Sequence, residues 1–252
     1  MRYYPHVPDL LSYPARWLKA VLGRFSYLLD RRVAPKVAVK VRSEGLTYLD
    51  LPALTDLHEC VVRADRLELP GILVEAGCAM GGSAIVMASA RRSIERDLRI
   101  FDVFAQIPPP AEGDGEDAHE RFAKISSGEA IGPQGTKYYG YESDLKLRVE
   151  AEFDRFGIPP ATCGVELIEG LFEETLILSD PVDVAHIDCD WYDSVRVCLE
   201  RIWPRLVPGG VIVIDDYEAW SGCKKAVDDF FASLSHQYRF DFQSRLHIIK
   251  PA

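Results

Sequence analysis

Apolar positions along this chain gather in short runs. Each run ends at a glycine or a carboxylate, and most are followed by a segment with helical spacing. Short, mainly apolar runs predict strands over 72–75, 98–101, 165–168, 182–187 and 211–214. Between them, helical periodicity predicts helices over 47–69, 83–92, 145–156, 194–206 and 222–234. In the first of these, Leu54, Leu57, Cys60, Val61 and Ala64 share a face, and Pro70-Gly71 stops the helix. Alternation of this kind builds a doubly wound α/β sheet of mainly parallel strands, and 239–242 with 246–249 reads as a closing antiparallel hairpin. Residues 1–45 carry Pro5, Pro8, Pro14 and Pro35 and an amphipathic helix near 15–30. They read as a helical extension packed over the core or a neighbouring subunit, leaving 46–252 as the main domain.

Residues 105–144 interrupt the rhythm. Pro108-Pro109-Pro110, six glycines between Gly113 and Gly140, and Tyr138, Tyr139 and Tyr141 form a long insertion after the second strand, the length and place of a lid over a site. His119 is a candidate contact within it.

Composition narrows the function classes. The chain is 48% hydrophobic and 27% charged, ordinary for a globular protein, with a formal net charge of −10. Phosphate neutralisation needs clustered Lys and Arg, so a nucleic-acid partner is disfavoured, and so is an anionic membrane surface. No apolar stretch approaches the ~20 residues of a membrane span. The first residues lack the basic, apolar, small order of a signal peptide. The six cysteines include no C-x-x-C pair, which disfavours a disulfide framework or zinc cage and predicts a reduced, cytoplasmic setting.

The first strand runs into Glu75-Ala76-Gly77-Cys78-Ala79-Met80-Gly81-Gly82-Ser83. Glycines there let a backbone approach a ligand closely. The spacing differs from the dinucleotide fingerprint, with Ala79 at its middle position. Glu75 beside the turn suits a ligand carrying an ammonium, such as S-adenosylmethionine, better than a pyrophosphate. Asp102 ends the second strand 25 positions after Gly77 (102 − 77), where a carboxylate can accept both ribose hydroxyls of an adenosine moiety. Gly170 permits close approach after the third strand, and Phe172 stands where it would lie near an adenine.

The fourth and fifth strands end in His186-Ile187-Asp188-Cys189-Asp190-Trp191 and Ile214-Asp215-Asp216-Tyr217. Asp188 and Asp215 are 27 positions apart (215 − 188), one β-α-β unit. Neighbouring parallel strands would aim these carboxylates at one point of the crevice where open α/β sheets bind ligands. Such a cluster repels itself unless a cation joins it, and hard oxygens without His or Cys in register select Mg²⁺ or Ca²⁺. Asp188, Asp215 and Asp216 are the expected metal ligands. Asp190 is the expected general base for a metal-activated hydroxyl. Helix and turn capping by Asp190, Asp193 and Asp216 is the competing reading. His186 is expected to face a helix layer, and Lys224 and Lys225 to be solvated.

These pieces resemble the macrocin O-methyltransferase family, Mg²⁺- and S-adenosylmethionine-dependent enzymes that methylate sugar hydroxyls. The matching motifs are Val74–Gly77 with Gly81-Gly82, Phe153-Asp154-Arg155-Phe156-Gly157, Glu169–Leu176, His186–Ser194, and Ile214–Tyr217 leading into Cys223–Phe230. The resemblance implies a class I methyltransferase, Rossmann-like, with a seven-stranded sheet, and S-adenosylmethionine at the first three strand ends. Glu75, Gly77, Ala79, Gly81, Ser83, Asp102, Gly170, Phe172 and Asp188 are the positions expected to face it. It also implies Mg²⁺ on Asp188, Asp215 and Asp216, and catalysis by Asp190 with Asp188. Catechol-type relatives carry a lysine where Trp191 stands, which favours Asp190 as the base. The segment Asp102–Pro108 and the insertion depart from the family pattern, and both lie on the acceptor side. The expectation is therefore a homo-oligomeric O-methyltransferase acting on a sugar or glycoside. A catechol-type enzyme acting on a vicinal diphenol, a non-catalytic S-adenosylmethionine-binding scaffold and a metal-dependent hydrolase are the alternatives.

Overall fold

The computed structural model describes residues 33–232, 234 and 238–251. The amphipathic helix expected near 15–30 lies outside them. Seven strands form one sheet: β1 (Ile72–Ala76), β2 (Leu98–Asp102), β3 (Val165–Glu169), β4 (Val182–Ile187), β5 (Leu206–Ile214), β6 (Arg239–Phe242) and β7 (Leu246–Ile249). Their order is β3-β2-β1-β4-β5-β7-β6. The first five strands pair in parallel, and β7 pairs antiparallel with both β5 and β6. The order reverses between β1 and β4, the switch point at which doubly wound sheets open a crevice at their C-terminal edge.

Alternate residues of the central strands feed two cores. Leu73, Ile100, Val184 and Val213 face helices α1 (Lys36–Ser43), α2 (Leu51–Arg66) and α3 (Gly82–Ala90), while Val74, Phe101, Ala185 and Ile212 face the opposite layer. Helix α2 begins where the Asp50 carboxylate accepts the Ala53 amide at 2.9 Å, with Pro52 in its first turn. Its Leu54, Leu57, Val61 and Ala64 are buried on one face; each such large side chain stabilises the fold by roughly 1.5–3 kcal/mol. Helix α3 buries every residue from Gly82 to Ala88, because α1 and the chain at Leu46 cover the side turned from the sheet. Ala38 and Val41 of α1 belong to this same core.

The insertion holds more order than its composition suggests. It contains helix α4 (Glu116–Ser126), and Ile125, Ala130 and Tyr138 form a small core of their own. The Tyr141 hydroxyl ties the two ends of that core together, donating to the Ile125 carbonyl at 2.6 Å and accepting the Ala130 amide at 3.2 Å. Helix α5 (Leu145–Arg155) then returns to the sheet, and a single turn, α6 (Phe172–Thr175), follows β3. Helices α7 (Tyr192–Ile202) and α8 (Ser221–Ala232) cover the far layer. Strand β5 starts earlier than its apolar run: Leu206 pairs with Val182, the register then shifts, and Gly209 and Gly210 exchange hydrogen bonds with Lys250 instead of β4. Among the described residues no helix is long and apolar enough to cross a membrane.

Candidate functional site

The site forms because ladder hydrogen bonds continue past the strand ends. The Asp188 amide donates to the Ala76 carbonyl at 2.9 Å, the Asp215 amide to Ile187 at 3.0 Å, and the Gly77 amide to Phe101 at 2.9 Å. The tips of β1, β2, β4 and β5 are thereby held in step, and their carboxylates share one edge. Carboxylate oxygens of Asp188, Asp215 and Asp216 lie within 4.8 Å of one another. That span is bridgeable by two metal–oxygen bonds of roughly 2.0–2.6 Å. Asp216 Oδ2 is buried without a hydrogen-bond partner, and among the described residues no imidazole or thiol joins the group, so the donor set fits a hard divalent cation. Burial pushes the Asp188 carboxyl well above its usual range, and Asp215 beside it adds to the effect. Asp216 is raised in the same way, by burial and then by Asp190.

Asp190 has a positive φ of 60°, uncommon for a residue with a side chain and tolerated best by Asp and Asn. In that conformation its carboxylate turns to Asp216 and the Trp220 indole; burial raises its pKa, and these two hydrogen bonds pull it back. It therefore caps no helix. The N-terminus of α7 takes its cap from Asp114 of the insertion, whose Oδ1 accepts the Tyr192 amide at 2.7 Å, and Asp193 is exposed in the first turn.

Beside the carboxylates lies a cavity of about 260 Å³ at the ends of β1, β2 and β4. Gly77, Asp102, Phe172, Asp188 and Asp190 line it, with Ile107, Pro108, Pro109 and Ala111 of the insertion and Tyr139 on other sides. Asp102 organises the turn at its floor. Its Oδ2 accepts the amides of Cys78 at 2.7 Å and Ala79 at 3.2 Å, and its Oδ1 accepts Phe104 at 2.7 Å. Burial raises the Asp102 pKa, and these amides oppose the rise.

The other expected cofactor-facing residues lie apart from the cavity lining. Glu75 is fully buried, its Oε1 at 2.9 Å from His186 Nδ1 and its Oε2 without a partner. The two are register partners on adjacent parallel strands, so both side chains turn to the α2–α3 side. Burial alone would lower the His186 pKa; the hydrogen bond and charge of Glu75 outweigh it and raise it. Gly81 is the N-cap of α3 against Val149 and Phe153, Ser83 is buried in that helix, and Gly170 sits against Thr175. Ala79 takes φ 48° in the turn. His119 and Lys225 are exposed, whereas Lys224, expected to be solvated, is half-buried with its ammonium 4.2 Å from the centre of the Tyr217 ring.

Arg245, on the turn between β6 and β7, donates Nε to Asp215 Oδ1 at 2.6 Å and lies 3.9 Å from Asp50. No motif in the sequence marks it, since only the hairpin's pairing with β5 carries it there. Trp191 lies in the motif after β4, but its contact was not legible there: its indole donates to the Pro108 carbonyl at 2.9 Å and pins the insertion to the strand end.

The chain is similar to known O-methyltransferases. The chain is 31% identical over 189 residues to an 8-demethyl-8-(2,3-dimethoxy-alpha-L-rhamnosyl)-tetracenomycin-C 4'-O-methyltransferase of Streptomyces olivaceus, covering 73% of this chain and 67% of that protein. It is 27% identical over 207 residues to the demethyldecarbamoylnovobiocin O-methyltransferase of Streptomyces niveus, covering 77% and 74%. Its fold matches the solved structure of the O-methyltransferase NovP with a TM-score of 0.68 at 22% identity, over 96% of this chain and 99% of that one. The family description macrocin-O-methyltransferase (TylF) matches residues 37–237. The chain is an O-methyltransferase and belongs to the macrocin-O-methyltransferase family.

Proposed function

We propose that this protein transfers a methyl group from S-adenosylmethionine to a hydroxyl of a sugar or glycoside, with a divalent cation held by Asp188, Asp215 and Asp216. The observation that carries this reading is the carboxylate triad within 4.8 Å, directly beside a cavity lined by Gly77, Asp102 and Phe172. The acceptor class is supported by relatives named for a 4'-O-methylation of a rhamnosyl-tetracenomycin and a 3''-O-methylation of mycinamicin III.

When bound, S-adenosylmethionine supplies an activated methyl group, and the cation supplies positive charge that lowers the pKa of an acceptor hydroxyl. The chain's own residues do the rest. Asp190 stands next to the triad, oriented by Trp220 and Asp216, and would take the hydroxyl proton onto its carboxylate. Phe172 and Leu171 give the cavity an apolar wall, and Asp102 holds the floor amides in place. Pro108, Pro109 and Ala111 shield the cavity from water and favour a fixed approach of donor and acceptor.

Calorimetric titration tests the reading. S-adenosylhomocysteine should bind the wild-type protein, and Mg²⁺ should bind it but not Asp216→Asn. Asp190→Asn should bind both as wild type does while turnover falls ~10²-fold or more. Equal turnover in Asp190→Asn would remove it as base. Methylation of a diphenol in preference to every glycoside offered would overturn the acceptor class.

A further inference from the structure

One wall of the donor cavity belongs to the insertion, and it is fastened at two helix N-termini. Asp114 lines the cavity. Its Oδ1 accepts the Tyr192 amide at the start of α7, and its Oδ2 accepts the Ala111 amide at 2.9 Å, folding the wall back on itself. Asp117, three residues on, accepts the Ser221 amide at 2.8 Å and the Ser221 hydroxyl at 2.6 Å, at the start of α8. Burial alone would raise the Asp117 pKa; the Ser221 groups outweigh it, and the carboxyl ends below its ordinary range. Helices α7 and α8 are the ones that leave the strand ends bearing Asp188–Asp190 and Asp215–Asp216. Carboxylates at helix N-termini gain from charge-assisted hydrogen bonds and from the helix dipole.

Packing at these joints is close. A methyl group at Gly113 would meet the Tyr192 ring at 2.3 Å, and one at Gly222 would meet Asp114 Oδ1 at 2.1 Å. The Trp191 indole hydrogen bond to Pro108 adds a third fastening.

We infer that Asp114 and Asp117 are positioning residues that clip the outer wall of the donor cavity onto α7 and α8, and so set how long the donor is retained. This rests on reading the cavity as the donor site. Neither residue touches the reacting atoms; each acts through a helix N-terminus. The carboxylates that fasten the wall reach the same two helices that carry the metal-binding strand ends, so wall and carboxylate cluster are held in register.

Release of S-adenosylhomocysteine from the full-length protein, followed by stopped-flow tryptophan fluorescence alongside calorimetric Kd, tests the inference. Asp114→Ala and Asp117→Ala should each speed release and weaken binding roughly fivefold, as expected for loss of one helix cap, with association nearly unchanged. The double variant should compound the two. Asp114→Asn keeps an acceptor oxygen for the Tyr192 amide and should recover most of the loss. Gly113→Ala leaves both carboxylates intact but forces the wall off Tyr192, so it too should speed release; it decides the matter if Asp114→Ala fails to fold. Lower melting temperatures with release rates within twofold of wild type would reduce the clips to a structural role and overturn the inference. Failure of the wild-type protein to bind S-adenosylhomocysteine would overturn the donor-site reading, and the inference with it.

Discussion

Replacing Gly77 by alanine probes the joint between the glycine turn and the metal-binding strand. Gly77 has φ 85°, and a Cβ there would lie 2.0 Å from the Asp188 carbonyl oxygen, 2.8 Å from its carbon and 3.4 Å from the Cys189 nitrogen. Every atom it meets is backbone, so no rotamer change relieves the clash. Ordinary carbon–oxygen contacts sit near 3.3 Å, so the two chain segments must part by about 1 Å. Left-handed backbone costs a residue with a Cβ roughly 1–2 kcal/mol. Overpacking adds roughly 1–3 kcal/mol. Together they predict a loss of about 2–5 kcal/mol, or about 4–20 °C in melting temperature for a protein of this size. Gly128→Ala is the control, because Gly128 has φ 81° but open space around it, leaving only the conformational cost of about 1–2 kcal/mol. Differential scanning calorimetry with and without Mg²⁺ reads both effects. Gly77→Ala should melt several degrees below Gly128→Ala and should lose much of the Mg²⁺-induced rise, since Asp188 is displaced from Asp215 and Asp216. Equal melting of the two variants with an intact Mg²⁺ response would show that the Gly77–Asp188 approach does not position the metal-binding strand end.

Two further predictions concern charge. Arg245→Gln removes the guanidinium that shares Asp215; the metal-free protein should lose roughly 1–3 kcal/mol, as for a partly buried pair, while saturating Mg²⁺ should narrow the deficit by occupying the same carboxylate, and an identical deficit with and without Mg²⁺ would count against the shared-site account. Asp183 is fully buried in β4 and paired with Arg96, yet burial outweighs Arg96 and raises its pKa from 3.8 to about 6. A carboxyl whose folded value lies above its unfolded one stabilises the fold when protonated, and that contribution is lost as pH rises from about 4 to about 6. The shift corresponds to about 3 kcal/mol at ~1.4 kcal/mol per unit. Urea denaturation should show a shallower decline across this window in Asp183→Asn than in wild type, whatever their constant offset from the lost Arg96 pair; parallel profiles would remove Asp183 as the source.

Much of this architecture was legible in the order of apolar runs. Strands β1 to β4 fall where the runs predict them: β1, β2 and β4 are central, covered on both faces and mainly apolar, while β3, at the sheet edge with Glu166 and Glu169 exposed, is marked by Val165, Leu167 and Ile168 alone. Helix ends were less legible. Helix α7 starts at Tyr192 rather than Ser194 because its cap is Asp114, 78 residues earlier in the chain. Helix α4 was hidden among glycines and charges, its stability coming from Ala118 and Ile125 and from Asp117 fastened at Ser221. Within the site, Asp188, Asp215 and Asp216 could be expected to meet, since strand register alone brings tips of adjacent parallel strands together. Arg245, Trp220 and the Asp114 clip could not: Arg245 and Asp114 arrive from distant parts of the chain, and Trp220, although only four residues after Asp216, lies in no motif. Glu75 was legible as an acid beside the glycine turn, suited to a ligand carrying an ammonium, but its burial and its pairing with His186 follow from the β1–β4 register and from nothing local to that turn.

The most direct test of the account is transfer of labelled methyl from S-adenosylmethionine to a panel of glycosides, run with Mg²⁺, with EDTA, and with EDTA followed by excess Mg²⁺. Label should appear on a sugar hydroxyl, transfer should stop on chelation and recover on Mg²⁺ addition, and Asp188→Asn should show no recovery. Undiminished transfer in EDTA, or full activity of Asp188→Asn, would contradict the account.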